Sequence, residues 1–192
     1  SLLWAADAFG LEVSKLPRWI ALMSGLHDFG KAIPGFQAKW PEGMLANQAH
    51  KLAFPASACK VDRHDLATAS FLGKALLSLQ IAEPGWLRNA VSAVSAHHGY
   101  HFLPTEINQG KPFNEPTEWG RAREEILQCI WQVLAPQGAP ATDELSLPAV
   151  NWLAGLTSTA DWIASNPEWF ILGERGYVDV DDYYRNACAL AR

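Results

Sequence analysis

SGLHDFGKAIPGFQAKW, residues 24–40, sets His27 beside Asp28 where a strongly apolar stretch runs out, and follows the pair with Gly30 and Lys31. An adjacent imidazole and carboxylate at the end of a buried helix make either a hydrogen-bonded core dyad or a neutral nitrogen ligand next to a hard oxygen ligand for a metal ion. Upstream, LPRWIALMSGLHDF carries Trp19, Ile20, Met23, Leu26 and Phe29 at helical spacing, with Pro17 in the opening turn. That spacing predicts a helix with His27 and Asp28 in its last turn or just beyond. Downstream, Pro34, Gly35, Pro41, Gly43 and Pro55 predict a loop from Gly30 to about Val61, far longer than the roughly 4–6 residues of an ordinary connection.

The rest of the chain also reads as helices, with no convincing run of alternating β-branched residues. SLLWAADAFGL opens inside an amphipathic segment that Gly10 closes or bends. RHDLATASFLGKALLSL has His64 in its first turn, with Asp62 as the expected cap. EPGWLRNAVSAVSAHHG is entered near Pro84 and closed by Gly99, which puts His97 and His98 at its C-terminal end. TEWGRAREEILQCIWQVLA is expected to be capped by Thr117. LPAVNWLAGLTSTADWIAS is opened by Pro148 and shows an apolar stripe at Leu153, Leu156, Ala160 and Ile163. DVDDYYRNACALAR is a short last helix with acids at its positive end. The expected fold class is all-α, a helical bundle with a metal site between helix ends.

A chain of 192 residues that is 49% hydrophobic suffices for one domain with a real core, here taken as residues 1–192. Cys59, Cys129 and Cys188 lie far apart, form no CxxC pair and are odd in number, which suggests neither a zinc ribbon nor a disulfide framework and fits a reducing cytoplasm. No run approaches the roughly 18 apolar residues of a membrane span, so no membrane partner is expected. A net charge of −5 leaves no global basic footprint for nucleic acid. Any strand would have to be delivered by a partner. The start in SLLWAADAF, without an initiator Met, reads as a fragment or a processed chain.

Five of the six histidines and two aspartates now line up at helix ends: His27-Asp28, His64, His97-His98 with His101 close by, and Asp161 within TSTADW. Taken singly, each histidine reads as a satisfied core or surface group. Together they match the way helical bundles build metal sites from facing helices, and an aspartate can bridge two ions about 3.5–4 Å apart. Asp28 has that role available. His97 and His98, about 100° apart on a straight helix, can face one ion only where the helix ends, and Gly99 supplies that end. Asp161 shares a face with Thr157 and Ser158, and on an apolar side its carboxylate needs a cation or donors.

LHDFGKAIPGFQ, the later His64, AHHG and STADW, in that order and at domain-scale spacing, resemble the HD nuclease domain of the CRISPR-associated helicase-nuclease of type I interference systems. The resemblance runs from residue 1 into SNPEWF. It implies an all-α HD fold whose two-metal site cuts single-stranded DNA as an endonuclease, an exonuclease or both. Residue by residue, it implies that His27, Asp28 and Asp161 hold one ion with Asp28 bridging, and that His64, His97 and His98 hold the second. Lys31 would face the scissile phosphate, and Ser158 would hydrogen-bond a phosphate or water near Asp161. The ligand set suits two divalent transition-metal ions, Mn, Fe, Co or Ni, better than an all-oxygen Mg site, although Mg remains possible. Implied partners are a superfamily 2 helicase domain, fused or separate, and an RNA-guided surveillance complex. The family usually carries another histidine that would fall just before Ser1, and its absence reads as truncation.

Blander readings stand beside these. Lys31 can be a solvated loop lysine, and Ser158 a mid-helix serine bonded back to a carbonyl. His50 and His101 read as loop or surface residues. Most of the nine tryptophans, among them Trp19, Trp152 and Trp162, read as core, leaving Trp40 as the one candidate for stacking on a base. Two other functions remain open. One is an HD phosphohydrolase acting on nucleotides or small phosphoesters; the other is a non-catalytic HD regulatory module.

Overall fold

The computed structural model describes residues 1–170 and 179–191. Among these the chain is helical, with no strand: α1 (Leu2–Phe9), α2 (Leu16–Gly25), α3 (Pro34–Gln37), α4 (Pro41–Ala49), α5 (His64–Leu77), α6 (Pro84–Ser95), α7 (Pro104–Ile107), α8 (Thr117–Leu134), α9 (Leu147–Ala164) and α10 (Val180–Leu190). Single 3₁₀ turns cover Phe29–Lys31, Ala58–Lys60 and Asn108–Gly110.

Helix α6 is the centre of the bundle, packed against α2, α5 and α9. Its sequence explains the position. Ala90, Ala93 and Val94 are fully buried, and side chains this small let neighbouring helices approach closely while larger residues fill the space on either side. Trp19, Leu22, Met23 and Leu26 of the α2 segment, Leu72 and Leu76 of α5, Trp86 and Leu87 of α6 and Leu153 of α9 complete one core. Trp86 meets Phe9 and Trp19 edge-on at 6.2 and 5.5 Å. Its indole N–H donates to the Phe9 carbonyl at 3.1 Å, and that of Trp19 to the Gln137 carbonyl at 3.2 Å, so neither buried ring strands a donor.

Several boundaries follow the sequence. Gly10 closes α1 in the left-handed region at φ 65°, Pro17 and Pro148 lie in the first turns of α2 and α9, and Asp179 caps α10 above Asp181 and Asp182. Others differ. The segment from Gly30 to Val61 is not a structureless loop: α3, α4 and two 3₁₀ turns occupy it, because its prolines begin short helices. Arg63 and Pro116, rather than Asp62 and Thr117, stand at the N-caps of α5 and α8, and Asp62 instead pairs with Lys39 at 3.1 Å. The buried stripe of α9 is Ala149, Val150, Leu153 and Thr157. Beyond it Leu156, Ala160 and Ile163 are exposed, and Trp162 is 77% exposed, because the C-terminal half of α9 runs past the core. No described helix is long and apolar enough to cross a membrane.

Candidate metal centre

Helix α2 ends at Gly25, and the next turn delivers His27 and Asp28. A 3₁₀ turn follows at Phe29–Lys31 and presses against the start of α5. Gly30 is required there: a Cβ would stand 2.0 Å from the His64 carbonyl oxygen and 2.4 Å from the Thr68 nitrogen. Helix α6 ends at Ser95, and the chain turns through His97 and His98 to Gly99 at φ 86°. Asp161 comes from the last turn of α9. Two helix exits, the first turn of α5 and the last turn of α9 therefore converge.

The structure brings together His27, Asp28, His64, His97, His98 and Asp161. Among the described residues, two groups of three place ligand atoms within 4.8 Å of one another: His64, His97 and His98, and His27, His97 and Asp161. His97 thus reaches both groups, which sequence reasoning had assigned to one. Asp28 lies between them, with Oδ2 3.2 Å from His27 Nε2 and Oδ1 3.3 Å from His64 Nε2. His64 Nε2 is also 3.3 Å from His97 Nε2 and 3.2 Å from His98 Nε2.

Backbone contacts orient two of the rings. His27 Nδ1 donates to the Ser24 carbonyl at 2.6 Å and His97 Nδ1 to the Val94 carbonyl at 2.8 Å. In the neutral ring each Nε2 then carries a lone pair directed at the cluster. His27 Nε2 faces oxygens of Asp28 and Asp161 at 3.2 and 3.4 Å. Yet His27 Nε2 and Asp28 Oδ1 are buried without a hydrogen-bond partner. Lone pairs aimed at carboxylate oxygens repel unless a proton or a cation stands between them. The donor set of imidazole nitrogens and carboxylate oxygens therefore fits a divalent transition-metal ion.

Titration behaviour follows the packing. Burial alone would raise the Asp28 pKa, but His27 and Lys31 together hold the carboxyl well below the usual range. Burial would lower His27, yet the adjacent Asp28 carboxylate, then the Ser24 carbonyl and the charge of Asp161, outweigh it and raise its pKa. His64 is pushed down to about 4, mainly by burial, with Lys31 and His97 adding to the shift against Asp28. His97 is lowered by burial first, then by His27 and His98.

Lys31 Nζ pairs with Asp28 Oδ2 at 2.5 Å and lies 5.7 Å from the centre of the Phe36 ring. The Ser158 hydroxyl is directed at the His97 carbonyl at 2.6 Å and the Ala154 carbonyl at 3.0 Å, so its proton is spent on backbone. His50 and His101 are exposed, as expected.

Several supporting residues were not singled out from the sequence. Thr68 Oγ1 donates to the His27 carbonyl and accepts from Gly30 N–H, both at 2.8 Å. Ser24 Oγ lies 3.1 Å from Thr157 Oγ1, tying the α2 exit to α9. Arg123 of α8 reaches under the 3₁₀ turn to donate to the Ala32 carbonyl at 2.7 Å, while forking onto Glu115. Thr68 had a signal, since it stands four residues after His64 on the same helix face. The Arg123 contact spans 91 residues and has none.

Comparison with known proteins identifies the family. Residues 2–170 match the family described as "Cas3, HD domain". The chain is 32% identical over 194 aligned residues to the CRISPR-associated endonuclease/helicase Cas3 of Thermus thermophilus, a match covering 97% of this chain and 20% of that protein. It spans about a fifth of that relative's length. A crystal structure of a CRISPR-associated protein superposes with a TM-score of 0.85 at 27% identity, covering 98% of this chain and 22% of the other. The Thermus thermophilus Cas3 HD domain, crystallised in the presence of Ni2+, superposes with a TM-score of 0.73 at 28% identity, covering 99% and 71%. With the motif order, the fold and the convergent ligand cluster all in agreement, the chain belongs to the Cas3 HD domain family.

Proposed function

We propose that this chain is a metal-dependent nuclease that hydrolyses phosphodiester bonds of single-stranded DNA in a type I CRISPR interference system, with two divalent ions at its centre. The observation that carries the reading is Asp28, whose two oxygens address different halves of one histidine cluster. His27, Asp28 and Asp161 would hold one ion with His97 in reach, and His64, His97 and His98 the second, with Asp28 bridging. The nitrogen-rich set favours Mn, Fe, Co or Ni over Mg. When bound, such ions supply Lewis acidity toward phosphoryl oxygens and acidify water.

The chain's own groups do the rest. His64 and His97, with lowered pKa values, are neutral at pH 7 and so available as ligands. Lys31 neutralises Asp28 and sets a positive charge where a phosphorane-like transition state gathers negative charge. Ser158 holds the His97 carbonyl and acts as a positioning residue. A helicase module, as in the name of the Thermus relative, would feed the strand in the cytoplasm after recruitment by an RNA-guided surveillance complex.

The test is cleavage of a labelled circular single-stranded DNA with EDTA, Mg, Mn, Co or Ni, alongside Asp28→Ala and bis-p-nitrophenyl phosphate. Metal-dependent cutting that Asp28→Ala abolishes is the expected result. Hydrolysis of the small ester without DNA cutting would replace the nuclease reading with a small-phosphoester hydrolase. Silence on both, with metal bound, would make the chain a regulatory module.

A further inference from the structure

Among the described residues, Lys31, Lys39 and Arg63 lie on the segments that flank the cluster, and each is already paired: Lys31 with Asp28 at 2.5 Å, Lys39 with Asp62 at 3.1 Å and Arg63 with Asp65 at 2.8 Å. The rim therefore offers a polyanion little net positive charge. Arg63 is built differently from the two lysines. Its Nε and Nη2 donate in a fork to the two oxygens of Asp65 at 3.3 and 2.8 Å. Asp65 is itself buried and accepts the Leu66 N–H at 2.9 Å. The guanidinium carbon stands 5.2 Å from the centre of the Phe102 ring. Phe102 meets Tyr100 edge-on at 5.3 Å, and the Tyr100 hydroxyl donates to Glu106 at 2.8 Å.

These contacts fix a planar group that would otherwise lose rotamer freedom on meeting a ligand. The guanidinium lies over the Phe102 ring, while 56% of the Arg63 side chain and 46% of Tyr100 remain exposed. Arg63 directly precedes His64, and Tyr100 follows His98 by two residues. The ledge thus grows from the same two chain segments that deliver the imidazoles of His64, His97 and His98.

A neutralised, flat and weakly hydrated cation beside aromatic rings is suited to stacking on a base rather than to capturing a phosphate. We propose that Arg63, Phe102 and Tyr100 form a nucleobase-stacking subsite flanking the His64, His97 and His98 group, which receives an unpaired base next to the phosphodiester at the centre. The proposal deepens the nuclease reading above and rests on it. Stacking of this kind is tolerant of sequence, because every base has a π-face.

The experiment uses a short single-stranded oligodeoxynucleotide carrying 2-aminopurine, titrated with the protein in EDTA so that cutting plays no part. Arg63→Lys keeps the charge and the Asp65 partner but removes the plane; Phe102→Leu keeps bulk and removes the ring. Melting curves verify that both fold. Wild type is expected to quench the probe, and each variant to weaken binding about tenfold, within the range of base stacking, with quenching lost. An all-abasic strand of the same length should bind wild type and variants alike. Equal quenching by wild type and Arg63→Lys, equal loss for normal and abasic strands, or no quenching by wild type would overturn the subsite. Failure of the nuclease reading shows separately, as an absence of metal-dependent cutting of the same oligonucleotide.

Discussion

Thr68 and His27 are joined by a hydrogen bond of 2.8 Å from the threonine hydroxyl to the histidine carbonyl, and the same hydroxyl accepts the N–H of Gly30 at 2.8 Å. Thr68 is fully buried and lies one helical turn beyond His64. One side chain thereby fixes the turn carrying Asp28 against the helix carrying His64, the two residues whose 3.3 Å approach joins the halves of the cluster.

Replacing Thr68 by Val keeps the volume but leaves the Gly30 N–H and His27 C=O unpaired in a dry site. Each such group costs about 1–3 kcal/mol. Thr68→Val is expected to lower stability by about 2–6 kcal/mol and to weaken metal binding, while Thr68→Ser retains most of both. Denaturant unfolding with and without metal checks this. An equal loss of stability in the two states would show that Thr68 supports the fold but not the centre.

Gly30→Ala should be more severe than any helix-propensity argument suggests. The added Cβ would meet the His64 carbonyl at 2.0 Å, a backbone atom that cannot swing aside. The variant must move α5 away from the 3₁₀ turn and separate Asp28 from His64. Loss of high-affinity metal binding in a chain that still shows helical circular dichroism is the expected outcome.

These two positions show what was legible in sequence. The order of HD, His64, HHG and Asp161 marked every residue of the cluster, because ligand chemistry needs particular side chains and helix ends can be read from Pro and Gly. The Gly30 signal was visible as part of the motif, but its reason, contact with α5, is tertiary. The Gly30–Val61 segment was misread because proline marks a helix start as readily as a loop. The α9 stripe was misread because periodicity says which face is apolar, not how far along the helix the core extends; Trp162 is the result. Partners such as Arg123 and Ala32 meet only after the bundle closes.

Metal binding should release a proton near neutral pH. The His27 pKa is raised in the metal-free fold, so Nε2 carries a proton in part at pH 7, and an ion can occupy that position only by expelling it. Affinity should rise with pH through this region, by up to about one proton's slope. Calorimetry in buffers of different ionisation enthalpy reads the release directly. Heats independent of buffer would place the ion away from His27.

The metal-free protein should be most stable near pH 6.5. A raised His27 pKa gives stability that is full below its unfolded value and is lost as pH climbs through the folded one. His64, lowered to about 4, acts oppositely: between that value and its ordinary 6.5 the unfolded chain binds the extra proton, so stability falls as pH drops. Saturating metal removes the His27 contribution and should move the optimum upward. Melting temperatures from pH 4 to 9, with and without metal, test both signs.

Arg123 and Glu115 brace the other side of the turn. Arg123 is 6% exposed, lies over the Phe71 ring at 4.0 Å, and carries the Ala32 carbonyl as well as its carboxylate partner. Removing one member of a buried pair costs about 3–5 kcal/mol because the other charge stays behind. Arg123→Met should therefore be strongly destabilising, and adding Glu115→Gln should recover part of the loss. What the double variant cannot restore is the bond to Ala32, the residue that follows Lys31. Its stability should approach that of wild type more closely than its activity on a small phosphodiester does. If stability and activity recover together, Arg123 serves the fold alone and Lys31 is positioned by its contact with Asp28.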